Sequence, residues 1–274
     1  AGHEHTRVFE DVATLGRELT TIGEHIVGTR LSSRVALIFS WPNWWNVEYQ
    51  PGPSCALNYL EEIHFYYRSL WEQNIAVDVI SPDHDLSEYS LVIAPLLNMV
   101  TAQQGRTIER YVESGGTFIT SYFSGIVDEN DRAWLGGYPG PLRKTLGIWV
   151  EEFDPLLPES TNLIIVGEGG TLPQGSYTCE RWCDLVHLEG AQALATYGDD
   201  FYAGRPAITE HQFGQGRALY VATRPERRLL DALVSSLVED LEIMPIVAAP
   251  VGVEVTCRAS AKRTYTFMLN HNAY

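Results

Sequence analysis

RVALIFSWPNWWNVEYQPGPS (residues 34–54) opens on a strand-length apolar run and then breaks into a segment rich in Trp, Pro and Gly. A continuous Val/Ile/Leu run reads as a strand covered on both faces, whereas a half-exposed strand alternates. Three similar runs follow: IAVDVIS (75–81), SLVIAP (90–95) and GTFITS (116–121). Between the first two, Leu60, Ile63, Tyr67, Leu70 and Trp71 fall on one helical face. Thr101 and Gln104 have capping-box spacing for the next helix, which Gly115-Gly116 stop. Strand and helix thus alternate from 34 to 121, which predicts a doubly wound parallel sheet. Such sheets carry their functional crevice at the carboxyl ends of the strands. Here those ends are 41–54, Ser81–Asp85, Pro95–Thr101 and Ser121–Asp131.

Outward from this block the texture changes. Over 148–222, short strand-like runs separated by Gly, Pro and Asp dominate: GIWVEEF, NLIIVG, WCDLVHL, QALATYG, PAITEHQF and ALYVAT. A closing helix carries Leu229, Leu233, Leu237 and Leu241, with Pro225 near its first turn. After Pro250, two antiparallel strands are expected around a turn at Ala259–Lys262, as the start of a small C-terminal β domain. At the other end, Val8, Val12, Leu15, Leu19 and Ile22 form a helical stripe that can cover a neighbouring domain or its own core. The expected boundaries are a linker helix over 1–32, the α/β domain over 33–245 and the β domain over 246–274. The chain opens on Ala1 and closes just after TYTFMLNHN, and reads as part of something longer.

A formal charge of -16 on 274 residues disfavours nucleic acid and anionic membranes as partners. No stretch approaches the roughly 18 apolar residues of a membrane span. Four cysteines are too few for a disulfide scaffold, and reduced structural thiols fit a cytoplasmic compartment. On a regular strand, Cys179 and Cys183 would lie about 13 Å apart, too far to bond or to share a metal.

Several stretches resemble the family-42 glycoside hydrolases, bacterial β-galactosidases built from a (β/α)8 barrel, a middle trimerisation domain and a small β-sandwich. The resemblance runs through HTRVFEDVATLGRELTTIG (5–23), VALIFSWPNWW (35–45), GRPAITEHQFGQGRALYVAT (204–223) and VTCRASAKRTYTFMLNHN (255–272). SGIVDENDRAWLGGYPGPLR (124–143) is its most specific part, joining many uncommon residues at fixed spacing. It implies a non-catalytic assembly domain of a homotrimeric β-galactosidase, whose galactoside substrate is handled by a barrel outside this chain. It also implies a flavodoxin-like fold similar to class I glutamine amidotransferases. In those enzymes the nucleophilic Cys sits on a sharp turn two residues before a Gly. Tyr122-Phe123-Ser124-Gly125 matches that turn, so Phe123 occupies a degenerate nucleophile position.

The chemistry left in the chain is sparse. A retaining glycosidase needs two carboxylates about 5–5.5 Å apart. The resemblance puts the acid/base in an Asn-Glu pair, and this sequence contains none. Glu61-Glu62 reads as the solvent face of a helix, and Asp128-Glu129-Asp131 as loop hydrogen bonding at a strand end. His187, His211 and His271 stand singly in strand-like runs, without a nucleophilic partner. Neither GxGxxG nor GxxxxGK[ST] occurs, so no nucleotide cofactor is implied, and no metal site is expected. Three tryptophans within five residues cannot all be buried cheaply in a loop, since each indole N–H needs a partner. Trp41, Asn43, Trp44 and Trp45 are therefore candidates for a domain or subunit interface, for a sugar contact on a substrate route, or for local core. The competing functional readings are a stand-alone amidotransferase-like hydrolase and a carbohydrate-binding module.

Overall fold

The computed structural model describes residues 3–50 and 52–272. In chain order its elements are α1 (Arg7–Ile26), β1 (Val35–Ile38), α2 (Trp41–Tyr49), α3 (Tyr59–Trp71), β2 (Val77–Ile80), β3 (Leu91–Ala94), α4 (Ala102–Glu113) and β4 (Thr117–Ser121). Then follow α5 (Arg143–Leu146), β5 (Ile148–Pro155), β6 (Thr161–Val166), β7 (Gly175–Leu188), β8 (Gln192–Tyr197), β9 (Pro206–Phe213), β10 (Gly216–Val221), β11 (Thr223–Pro225), α6 (Arg227–Asp240), β12 (Val253–Ala259) and β13 (Thr264–Asn270). Two compact units result: Ser33–Pro245, and a second that joins the segment through Ser32 to that from Ile246 onward.

In the first unit the apolar runs pair in parallel, β10-β4-β3-β1-β2. Every residue of β1, β3 and β4 is buried, which is why these strands read as unbroken apolar runs. Beyond β10 the sheet continues antiparallel through β9, β8, β6, β7 and β11, with β5 on β7. The sheet is therefore mixed, and the shorter runs after residue 148 extend it instead of building a separate layer. Their pattern alternates where one face is open, as in β6, whose Asn162, Ile164 and Val166 point inward. Thr101 and Gln104 close the capping box of α4. Leu229, Leu233 and Leu237 of α6 are buried; Pro225 ends β11, and the helix starts behind Glu226.

Four expectations need correction. Residues 41–49 are helix, not loop: Ser40 caps the N-terminus through Asn43 N at 3.2 Å, and Pro42 sits in the first turn, where its missing N–H is harmless. The buried face of α3 is Tyr59, Glu62, Ile63, Tyr66, Ser69 and Leu70, so the stripe lies one step round from Leu60, Tyr67 and Trp71. Glu62 is thus in the interior, not on the solvent face. Finally, β7 is not regular: Thr223 faces Cys183, Arg224 faces Glu180 and Pro225 faces Cys179. Arg181 and Trp182 are extra residues on the β7 side, with Arg181 at φ +71°. The bulge shortens the Cys179–Cys183 spacing from four strand steps to two, or about 7 Å. The two thiols interact, and the contact holds the Cys179 pKa below its ordinary value.

In the second unit, β12 and β13 form an antiparallel pair, and Arg30 exchanges backbone hydrogen bonds with Ala259 at 2.9 and 2.8 Å. Arg258 donates to the Thr29 carbonyl and hydroxyl. The α1 stripe expected from the sequence is present, but α1 has no buried residue: Val8, Val12, Leu15, Leu19 and Ile22 are all exposed.

Candidate functional site

The parallel strands create a crevice at their carboxyl ends. From β1 the chain crosses to β2 on one side, and then to β3 on the other, so the order reverses between β1 and β3. Ligands of open α/β sheets bind outside the strand ends at such a reversal. Three segments meet there: α2 after β1, Leu96–Met99 after β3, and Tyr122–Gly125 after β4.

Asn43 joins the first two. Its side chain is fully buried; Nδ2 donates to Leu96 O at 2.7 Å, and Oδ1 accepts from Met99 N at 2.9 Å. Ser40 N donates to the Tyr59 hydroxyl at 2.9 Å, and burial pushes that phenol up to about 12. The outer face of α2 carries Trp41 and Trp45, both about half exposed, while Trp44 is partly buried against Phe39. Asn46 reaches across to Asp131 Oδ1 at 2.7 Å. Asp131 belongs to a turn in which Asp128 Oδ1 accepts from Asn130 N and Arg132 N, and these bonds hold Asp128 below the usual carboxylate range.

The turn after β4 is tight. Phe123 takes φ +56°, a conformation that costs a non-glycine residue about 1–3 kcal/mol and has to be held by its surroundings. Its ring packs on Trp182 (centroids 4.8 Å) and Phe153 (6.0 Å). Gly52 approaches so closely that a Cβ there would lie 3.1 Å from the Phe123 ring. Gly125 is obligatory, since a Cβ would stand 2.3 Å from Pro139 O. Ser124 is buried and committed: its hydroxyl donates to Ser121 O at 2.6 Å and accepts from Leu97 N at 3.0 Å. Its hydroxyl serves the turn.

Two buried carboxyl groups lie beneath this edge: Asp184, which sequence reasoning did not single out, and Glu62, which it placed on a solvent face. Asp184 is fully buried on β7 and accepts from Trp182 Nε1 at 2.6 Å, Tyr220 OH at 2.5 Å and, more weakly, Phe123 N at 3.4 Å. Desolvation pushes it up to about 7 against these bonds. Glu62 is buried, with Arg224 Nε 3.1 Å away and Arg181 Nη1 at 3.7 Å, neither aligned as a hydrogen bond. It too is pushed up to about 7 by burial. Glu61, more exposed and bonded by Arg181, is held low. The available signals were a charged residue inside an apolar strand run (Asp184) and the i, i+3, i+4, i+7 face of Tyr59, Glu62, Ile63 and Tyr66.

The histidines have ordinary partners: His187 pairs with Glu151 at 2.5 Å, and His211 Nδ1 contacts Thr145 O at 2.9 Å. The arrangement holds two carboxyls in the interior, an apolar side chain on the strained turn, and aromatic rings outside. Among the described residues no group of three or more His, Cys, Asp or Glu side chains is gathered for a metal ion, and no helix is long and apolar enough to cross a membrane.

Residues 33–244 match the family described as the β-galactosidase trimerisation domain. The chain is 48% identical to β-galactosidase BgaP of Planococcus sp. (strain L4), over 99% of this chain and 40% of that protein. Among solved structures, a β-galactosidase from Bacillus circulans sp. alkalophilus is 47% identical with a TM-score of 0.91, over 99% of this chain and 40% of that one. A β-galactosidase from Rahnella sp. R3 is 42% identical with a TM-score of 0.89 at the same coverage. The chain thus spans about 40% of the length of the relatives it matches. With most of its length inside the matched domain, the chain belongs to the β-galactosidase trimerisation domain family.

Proposed function

We propose that this chain is the non-catalytic assembly domain of a β-galactosidase that removes terminal β-D-galactose residues from β-galactosides. It holds the enzyme as a homotrimer in the cytoplasm, and the chemistry belongs to a barrel outside this chain. The observation that carries the reading is Phe123. In a flavodoxin-like, amidotransferase-like fold the turn after β4 is the nucleophile's place, and here a buried ring fills it, with φ +56° and Gly52 packed on its edge. The neighbouring hydroxyl of Ser124 is consumed by the turn.

In this reading residues 1–32 are the linker from the barrel, 33–245 the assembly domain, and 246–274 the start of a C-terminal β domain. The exposed apolar stripe of α1 supports a linker that faces the barrel. Trp41, Trp44 and Trp45 then form a surface toward the barrel, a neighbouring subunit or the substrate route, while Asn43, fully buried, has no place on that surface and fixes α2 from inside. The test has two parts. Incubated with a chromogenic β-galactoside, the chain should give the buffer rate. Light scattering should show association that weakens on dilution below the parent's. Turnover that co-purifies with the chain overturns the reading, as does a strict monomer at all concentrations.

A further inference from the structure

The outer face of α2 carries an exposed aromatic stripe. Trp41, Trp45 and Tyr49 stand at i, i+4 and i+8, and are 55%, 53% and 80% exposed. At about 1.5 Å of rise per residue, successive rings lie about 6 Å apart along the helix. The Trp41 and Trp45 centroids are 6.2 Å apart. The stripe is also braced. Trp41 rests on Trp44 (5.2 Å) and against the edge of Phe39 (5.2 Å), while Asn43 and Val47 anchor the opposite face. Rings held this way lose little freedom on binding.

The shape and charge of the stripe restrict its occupant. Three rings exposed to this degree offer about 400 Å², taking 150–250 Å² for a fully covered aromatic. A standard protein interface needs about 800 Å² per partner. The stripe is too narrow for a second copy on its own, and its length suits a slender ligand. Its polar neighbours include Asn46 and, through it, Asp131, with Glu48 and Gln50 on the same segment, and the chain as a whole carries a charge of -16. A phosphorylated or acidic ligand is disfavoured; a neutral polyhydroxylated one is not. A pyranose meets both demands, with C–H groups for a ring face and hydroxyls for amides and carboxylates. Galactose suits the ring face especially, because its axial 4-hydroxyl leaves the C3, C4 and C5 hydrogens together on the opposite side. The helix that carries the stripe follows β1, beside the strand-order reversal, and presents the stripe on its outer face.

We propose that α2 is an accessory binding site for a β-galactosyl oligosaccharide, with successive sugar rings on Trp41, Trp45 and Tyr49. This rests on the reading of the chain as part of a galactoside-processing enzyme, and refines the substrate-route role of its tryptophans.

Tryptophan fluorescence of the chain, titrated with β-1,4-linked galactotetraose, is the test. A saturable change is expected in the millimolar range, with galactose alone binding more weakly. Trp45→Ala should weaken the tetraose roughly tenfold, about 1.4 kcal/mol. Trp45→Phe should restore most of the loss, and Tyr49→Ala should weaken binding with every tryptophan in place. All three positions are exposed, and unchanged melting curves would establish that the variants fold. No saturable response, or one that survives a Trp41→Ala, Trp45→Ala double variant, overturns the proposal. An equal response to cellotetraose overturns the galactosyl assignment. A concentration-dependent mass that the double variant abolishes, with no response to sugar, would make the stripe a protein contact and overturn it as well. The outcomes separate the two readings: an associating chain blind to sugar defeats only this proposal, and a sugar-binding strict monomer defeats only the assembly role.

Discussion

Glu62→Gln should make the protein's stability less sensitive to pH, in a direction opposite to that of most carboxylates. The ordinary value for this group is 4.5, and burial raises it to about 7 in the folded chain. Arg224 at 3.1 Å works against that rise, but it also faces Glu61 at 3.3 Å and Glu180 at 3.4 Å, and Arg181 likewise serves Glu61 first. The cationic charge is shared among several carboxylates, and desolvation of the fully buried one prevails. Tyr66 and Tyr122, the other groups facing it, are themselves pushed up by burial and by Glu62. Between pH 4.5 and 7 the folded state therefore keeps a proton that the unfolded chain has released. Stability is then lost as pH rises through this window. With a gap of about 2.5 units at about 1.36 kcal/mol each, the full loss is about 3.4 kcal/mol. Glutamine has the same shape and cannot ionise. Urea unfolding of both proteins at pH 5 and pH 8 isolates the effect, because every other titrating group is common to the pair. Wild type should lose about 2.5 kcal/mol relative to the variant between the two pH values, since pH 5 already lies inside the window. A difference that does not change with pH, or a wild type that gains on the variant as pH rises, would refute the reasoning: Arg224 would then hold Glu62 ionised.

Asp184→Asn should act in the same direction through the window from 3.8 to about 7, read by the same paired unfolding curves, since desolvation outweighs the bonds from Tyr220 and Trp182. Asn43→Ala leaves Leu96 O and Met99 N without their buried partners and should cost about 2–4 kcal/mol in urea unfolding, with a shift in tryptophan emission as α2 loosens. Phe123→Ala removes a ring packed between Trp182, Phe153 and Gly52 while keeping a strained φ, and should cost about 3–5 kcal/mol in the melting curve without creating any hydrolase activity.

Signals carried by neighbouring residues are legible in the amino-acid sequence itself. The runs at 35–38, 91–94 and 117–121 are apolar because both faces are covered, and that composition alone predicts parallel pairing. The Thr101–Gln104 capping box and the β12–β13 hairpin are equally local. The α2 helix is half legible: Ser40 before Pro42 is a helix start, but the density of Trp, Pro and Asn argues for a loop. What a side chain meets across the sheet is not legible. Glu62 is buried against Arg224 and Arg181, both more than a hundred positions away, and nothing in YLEEIHFYY (59–67) says which of its two glutamates turns inward. The Cys179–Cys183 approach depends on a bulge that exists only because β11 pairs with β7 out of step. Periodicity records the face an element buries, because burial acts on each residue through its own surface. Bulges, shared charges and the clamp of Asn43 on the β3 turn depend on partners that only the folded chain brings together, and those were decided by tertiary structure.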